Sequence, residues 1–74
     1  MLKNDIGVNS GEIWRLLLDK GALSIRQIRE FTGYRERMII LALGWLARED
    51  KINFLDKHET IYIELKSAFR ESYY

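Results

Sequence analysis

Seventy-four residues make one small domain, which buries only about 60–65% of its unfolded surface and is therefore modestly stable. There is no cysteine, which excludes disulfides and thiolate metal sites, while 47% apolar residues are ample for a packed core. Twelve basic and 11 acidic residues leave a net charge of +1, less basic than a dedicated DNA binder usually is.

The segment from Met1 to Gly11 is too polar for the apolar core of an export signal. The longest largely apolar run, Met38 to Ala47, falls well short of the roughly twenty residues a membrane span needs. A soluble, cytoplasmic protein is expected.

The first segment places Ile6, Ile13, Leu16 and Leu17 on one helical stripe. Its start has two readings. Asn9 followed by Glu12 matches a capping box, whereas Asn4 or Asp5 would begin the helix earlier. Gly21 ends it. A second helix opens at Ser24-Ile25-Arg26-Gln27, again a capping-box pattern, and is expected to turn Ile25, Ile28 and Phe31 inward. Thr32-Gly33 breaks it, because glycine enters a left-handed backbone at little cost. The third helix is expected from about Tyr34 to Glu49, with Ile39, Ala42, Leu43 and Leu46 facing the core.

Lys51 to Leu65 reads as a hairpin. Ile52 and Phe54 alternate on one strand. On the other, Ile61, Ile63 and Leu65 point one way and Tyr62 and Glu64 the other, with Leu55 to Thr60 as the connection. Leu23 offers a short third strand. The fold class is mainly α with a small β-hairpin, in the order helix, helix, turn, helix, hairpin of a winged helix-turn-helix: three helices plus a two- or three-stranded wing. Residues 1–65 are expected to form this domain and residues 66–74 an aromatic C-terminal tail.

Three passages carry a family resemblance: Leu23 to Gly33, the third helix, and Leu41 to Phe54, with Gly44-Trp45-Leu46-Ala47-Arg48-Glu49 as the more specific core. Together they resemble a small bacterial winged helix-turn-helix family of uncharacterised proteins, over about Ile6 to Leu65. The resemblance implies the fold and a nucleic-acid role. Tyr34 departs from it, standing at a turn position where leucine is common.

A recognition helix normally sends the side chains of its first turns to base edges or phosphates. Here Arg35 and Arg37 occupy that end, and Arg26 and Arg29 lie on the preceding helix. With Glu30 and Glu36 between them the local charge is +2. The planar arginine fork suits guanine or phosphate, so these four are the candidate nucleic-acid-binding residues.

The rest of the third helix is anomalous. With Ile39 facing the core, Leu41 is rotated by about 200°, Gly44 by about 140° and Trp45 by about 240°, and Ile40 flanks the same surface. A groove-reading helix should be polar there. Ile40, Leu41, Gly44 and Trp45 are therefore the candidate partner interface, covered either by the tail, with Phe69, Tyr73 and Tyr74, or by a second subunit.

The expected hairpin tip, Asp56-Lys57-His58-Glu59, sums to −1, which disfavours phosphate contact there. His58 has no companion ligands, so it reads as an exposed histidine rather than a metal ligand. No nucleophile with a paired base, no phosphate-cradling glycine loop and no cofactor motif is recognisable, so no enzyme, cofactor or small-molecule substrate is expected. The sequence points to a homodimeric winged-helix protein that binds double-stranded DNA or serves transcription. The alternative is a protein-interaction module that keeps the fold without binding DNA.

Overall fold

A computed structural model describes residues 3–66, and the aromatic residues Phe69, Tyr73 and Tyr74 of the expected tail lie outside them. In chain order the elements are α1 (Lys3–Lys20), β1 (Leu23–Ser24), α2 (Ile25–Thr32), α3 (Glu36–Arg48), β2 (Ile52–Lys57) and β3 (Thr60–Leu65).

The early start of α1 resolves its two readings. Asn9 lies within the helix, and its side-chain amide donates to Met38 Sδ at 3.0 Å rather than capping. Ser10, the next residue along α1, is buried. Its hydroxyl lies 2.6 Å from the Ile6 carbonyl oxygen and 3.3 Å from that of Ala42. The single proton is shared mainly with the nearer acceptor, and a buried polar group is thereby satisfied at the α1–α3 contact. Gly21 closes α1 at φ 86°, its N–H donating to the Leu17 carbonyl at 2.8 Å.

The capping box of α2 forms as the sequence predicts. The Gln27 N–H donates to Ser24 Oγ at 3.1 Å, and the Ser24 N–H donates to Gln27 Oε1 at 3.0 Å. Ser24→Ala is expected to cost about 1 kcal/mol, visible as a lower urea midpoint at constant m-value. An unchanged midpoint would contradict this role. Gly33, at φ 76°, ends α2 as expected.

The start of α3 is two residues later than the sequence suggests. Tyr34 is held outside the helix, its N–H donating to Thr32 Oγ1 at 3.1 Å, and Arg35 is extended at φ −68°, ψ 150° as the N-cap. The far end of α3 closes without a glycine. Asp50 adopts φ 61°, its N–H donates to the Ala47 carbonyl, and the Lys51 N–H donates to the Leu46 carbonyl, each at 3.0 Å. These two bonds form a Schellman pattern with aspartate in the left-handed position.

The sheet is antiparallel in the order β1-β3-β2, with Leu23 opposite Ile63 and Ile52 opposite Leu65. Leu23 thus supplies the expected third strand. The core gathers Ile13 and Leu17 of α1, Ile28 of α2, Ile39, Ala42, Leu43 and Leu46 of α3, and Leu23, Ile52 and Ile63 of the sheet.

Three expectations need correction. The hairpin connection is His58-Glu59 alone, not Leu55 to Thr60, because both residues adopt positive φ (51° and 65°), as a two-residue I′ turn requires. Phe54 and Ile61 do share a sheet face with Ile52 and Ile63, but they are 53% and 51% exposed, because the strands run on past the helices that cover their base. Tyr62 and Glu64 lie on the opposite sheet face, as the alternation predicts, and are half-buried. Phe31 is exposed at the edge of the α1–α2 cleft instead of entering the core, with the Lys20 ammonium 4.9 Å from its ring centroid.

Candidate nucleic-acid interface and the outward face of the third helix

The turn Gly33–Arg35 joins α2, which carries the candidate arginines Arg26 and Arg29, to α3, which Arg35 and Arg37 open. All four are exposed, and they fall into two pairs. Arg26 and Arg29 are partly neutralised: Arg26 Nε lies 3.6 Å from Glu30, one turn along α2, and Arg29 lies 3.9 Å from Glu36 across the turn. Arg26 also borders a groove that holds Glu30, Glu59 and Ile61, so the hairpin tip adds negative charge on that side. Arg35 and Arg37 have no ion-pair partner among the described residues.

The N-terminus of α3 has no side-chain cap. Its first-turn N–H groups and the positive end of the helix dipole therefore face outward between Arg35 and Arg37, next to a hollow lined by Asn9, Tyr34 and Met38. This combination suits an oxyanion such as a phosphate. Glu36, in the same turn, opposes it and is partly offset by Arg29.

Tyr34 anchors the turn. It is half-buried against the core, and its hydroxyl donates to Glu12 Oε1 on α1 at 2.7 Å. That hydrogen bond, then burial, then the Glu12 charge push the phenol up to about 12. A raised value means the neutral phenol is favoured by folding. The contribution is whole below the unfolded value near 10 and is lost as pH rises toward 12. Ultraviolet titration, taken as the difference from Tyr34→Phe, should show ionisation near 12 and a return toward 10 in Glu12→Gln. An unshifted titration in the otherwise unchanged protein would contradict the Tyr34–Glu12 contact.

Beyond its first turn the outward face of α3 is apolar. Ile40 is 51% and Leu41 41% exposed, and Gly44 is exposed with open space where a Cβ would stand. Trp45 sits half-buried on the flank. No described residue covers the middle of this face. Arg37 and Arg48 border it at either end, and the charged end residues Glu36 and Glu49 are also exposed.

The hairpin tip is exposed, with His58 and Glu59 in the turn itself. Among the described residues no three His, Asp or Glu side chains are grouped as a metal would require, and no helix is long and apolar enough to cross a membrane. The cleft between α1 and α2 is lined by Leu16, Leu18, Phe31 and Thr32 with Glu12, Arg15 and Asp19, and the Thr32 hydroxyl donates to the Ile28 carbonyl oxygen at 2.7 Å.

Residues 1–65 match the family described as a winged helix-turn-helix domain, DUF2582. The chain belongs to this family. A relative within reach of sequence comparison is the uncharacterized protein MJ1608 of Methanocaldococcus jannaschii, 41% identical over 64 residues that span 82% of this chain and 90% of that one. Among solved structures, protein BT2368 from Bacteroides thetaiotaomicron superposes with a TM-score of 0.83 at 32% identity, covering 93% of this chain and 84% of its own. HlyU from Vibrio cholerae superposes with a TM-score of 0.73 at 20% identity, covering 99% and 89%, a likeness of fold alone. The winged helix-turn-helix architecture of the DUF2582 family is therefore that of this chain. The identity of the β2–β3 hairpin as the wing follows from it.

Proposed function

We propose that the domain is a cytoplasmic, DNA-binding winged-helix protein that also forms a homodimer. The observation that carries the reading is the pair of exposed arginines, Arg35 and Arg37, without an ion-pair partner among the described residues, at the uncapped N-terminus of α3. In this fold that end of the third helix is the one that meets duplex DNA. Arg26 and Arg29, on α2, bring carboxylate partners with them, so they contribute less. The wing carries Glu59 at its turn and Asp56 just before it, which places the wing tip away from the phosphates in this reading.

So few contacts imply weak generic binding, with a dissociation constant near or above about 10⁻⁴ M at physiological salt. An NMR titration of the full chain with a generic duplex tests the assignment. Shift changes should gather at the α2–α3 turn and the first turn of α3. Changes confined to the wing tip or to the α1–α2 cleft would contradict it. The function is assigned to binding.

One observation favours a second reading, a protein-interaction module that keeps the fold without DNA binding: Ile40 and Leu41 are exposed on the helix that should read the groove. Leu41→Glu separates the two. In the module reading it abolishes partner binding, whereas in the DNA reading the arginine corner keeps its affinity for duplex.

A further inference from the structure

All three helices meet at Tyr34. Its N–H donates to Thr32 Oγ1 at the end of α2, and the Thr32 hydroxyl donates in turn to the Ile28 carbonyl oxygen at 2.7 Å. Its own hydroxyl donates to Glu12 Oε1 on α1 at 2.7 Å. The next residue in the chain is Arg35, the N-cap of α3, whose carbonyl oxygen accepts from the Ile39 N–H at 3.0 Å. Asn9, three residues before Glu12 and on the same side of α1, holds α3 a second time through Met38 Sδ at 3.0 Å, a weaker bond because a thioether is a poor acceptor. Asn9, Tyr34, Arg35, Arg37 and Met38 line one hollow. The start of α3 is thus tied to α1 as well as joined to α2, and Arg35 follows directly on the anchored ring.

We propose that Glu12 is a positioning residue for duplex binding: through the Tyr34 hydroxyl it fixes the start of α3, and with it the placing of Arg35 and Arg37. This rests on the DNA-binding reading above and deepens it by assigning a residue of α1 to that site. The role runs against charge. Glu12 is an exposed carboxylate on a domain that meets a polyanion, so repulsion alone would make its removal tighten binding. As the tether of Tyr34, its removal weakens binding instead, because the binding-competent arrangement of the two arginines is then populated only part of the time. The strength of the tether bounds the effect. The net contribution of one such hydrogen bond corresponds to about two- to tenfold in an equilibrium constant, and affinity falls by no more than that factor.

Fluorescence anisotropy of a labelled generic duplex, titrated with the full chain over a salt series at a temperature where circular dichroism shows each variant folded, tests the role. Tyr34→Phe loses the hydroxyl alone and should weaken binding about two- to tenfold. Glu12→Ala should weaken it as well, although it removes a negative charge. Glu12→Gln keeps an acceptor oxygen for the Tyr34 hydroxyl and removes the charge, so it should bind at least as tightly as the wild type. The double variant Glu12→Ala/Tyr34→Phe should bind no more weakly than Tyr34→Phe, because both changes remove the same bond. In all four variants the slope of log affinity against log salt should stay that of the wild type, since Arg35 and Arg37 remain. Tighter binding by Glu12→Ala, or Glu12→Gln as weak as Glu12→Ala, or no effect of Tyr34→Phe, overturns the positioning role and leaves DNA binding standing. A wild type without salt-dependent binding overturns both.

Discussion

Ile39→Ala is expected to leave the domain largely unfolded at room temperature. Ile39 is fully buried in the first half of α3, where the three helices and the base of the sheet converge. Truncating a buried isoleucine costs about 2–5 kcal/mol, from lost transfer energy and the cavity left behind. A single core in a chain of this length supplies roughly 3–5 kcal/mol in total. No disulfide offsets the loss. Circular dichroism of the variant should therefore show a large loss of helix at temperatures where the wild type is folded. A variant that melts within a few degrees of the wild type would mean that the core is redundant around α3. Leu41→Ala, on the opposite face of the same helix, is expected to change stability by less than about 1 kcal/mol.

The contrast between those two positions was legible in the sequence, because the helical period separates Ile39, Ala42, Leu43 and Leu46 from Leu41 and Gly44 without further information. The capping box at Ser24 and the break at Gly33 were legible for the same kind of reason: each is a local motif with a local mechanism. What the sequence did not reveal depended on chemistry outside the usual signals. The two-residue wing turn uses His58 and Glu59 at positive φ, where asparagine or glycine is the common signal. The end of α3 uses Asp50 in the left-handed position in place of glycine. Phe54 and Ile61 follow the alternation correctly, yet their exposure depends on where the helices stop, which periodicity does not encode. Phe31 is similar, since its place at the edge of the α1–α2 cleft depends on how α1 crosses α2.

The candidate site was legible as a composition and less so as a set of pairs. Four arginines near the second turn can be counted from the sequence. That Arg26 and Arg29 lean on Glu30 and Glu36 while Arg35 and Arg37 do not requires the turn geometry at Gly33 and Tyr34. The uncapped start of α3 was also hidden, because a helix beginning at Tyr34 would have placed its first N–H groups elsewhere. The Tyr34–Glu12 hydrogen bond joins residues far apart in the chain and carries no local signal.

The second large effect is expected from the double variant Arg35→Ala/Arg37→Ala on duplex binding. Each arginine that meets a phosphate displaces about one condensed counterion, so removing both should flatten the slope of log affinity against log salt by about two units. Charge-assisted hydrogen bonds contribute about 1.5–3 kcal/mol each, and at low salt the loss should exceed about tenfold in affinity for every sequence tested. A base contact by either residue would add a loss confined to one position of the site, of roughly 1–3 kcal/mol. Arg26→Ala should be milder, because Glu30 already holds its guanidinium.

Binding of duplex DNA by the uncapped, arginine-bearing end of α3 is tested most directly by its salt dependence. Fluorescence anisotropy of a labelled generic duplex, titrated with the full chain over a salt series, should give weak affinity that falls steeply as salt rises. The Arg35→Ala/Arg37→Ala variant should lose about two units of that slope, and Leu41→Glu should keep it. Absence of salt-dependent binding by the wild type even at low ionic strength, together with loss of self-association in Leu41→Glu, would contradict DNA binding and make the domain a protein-interaction module.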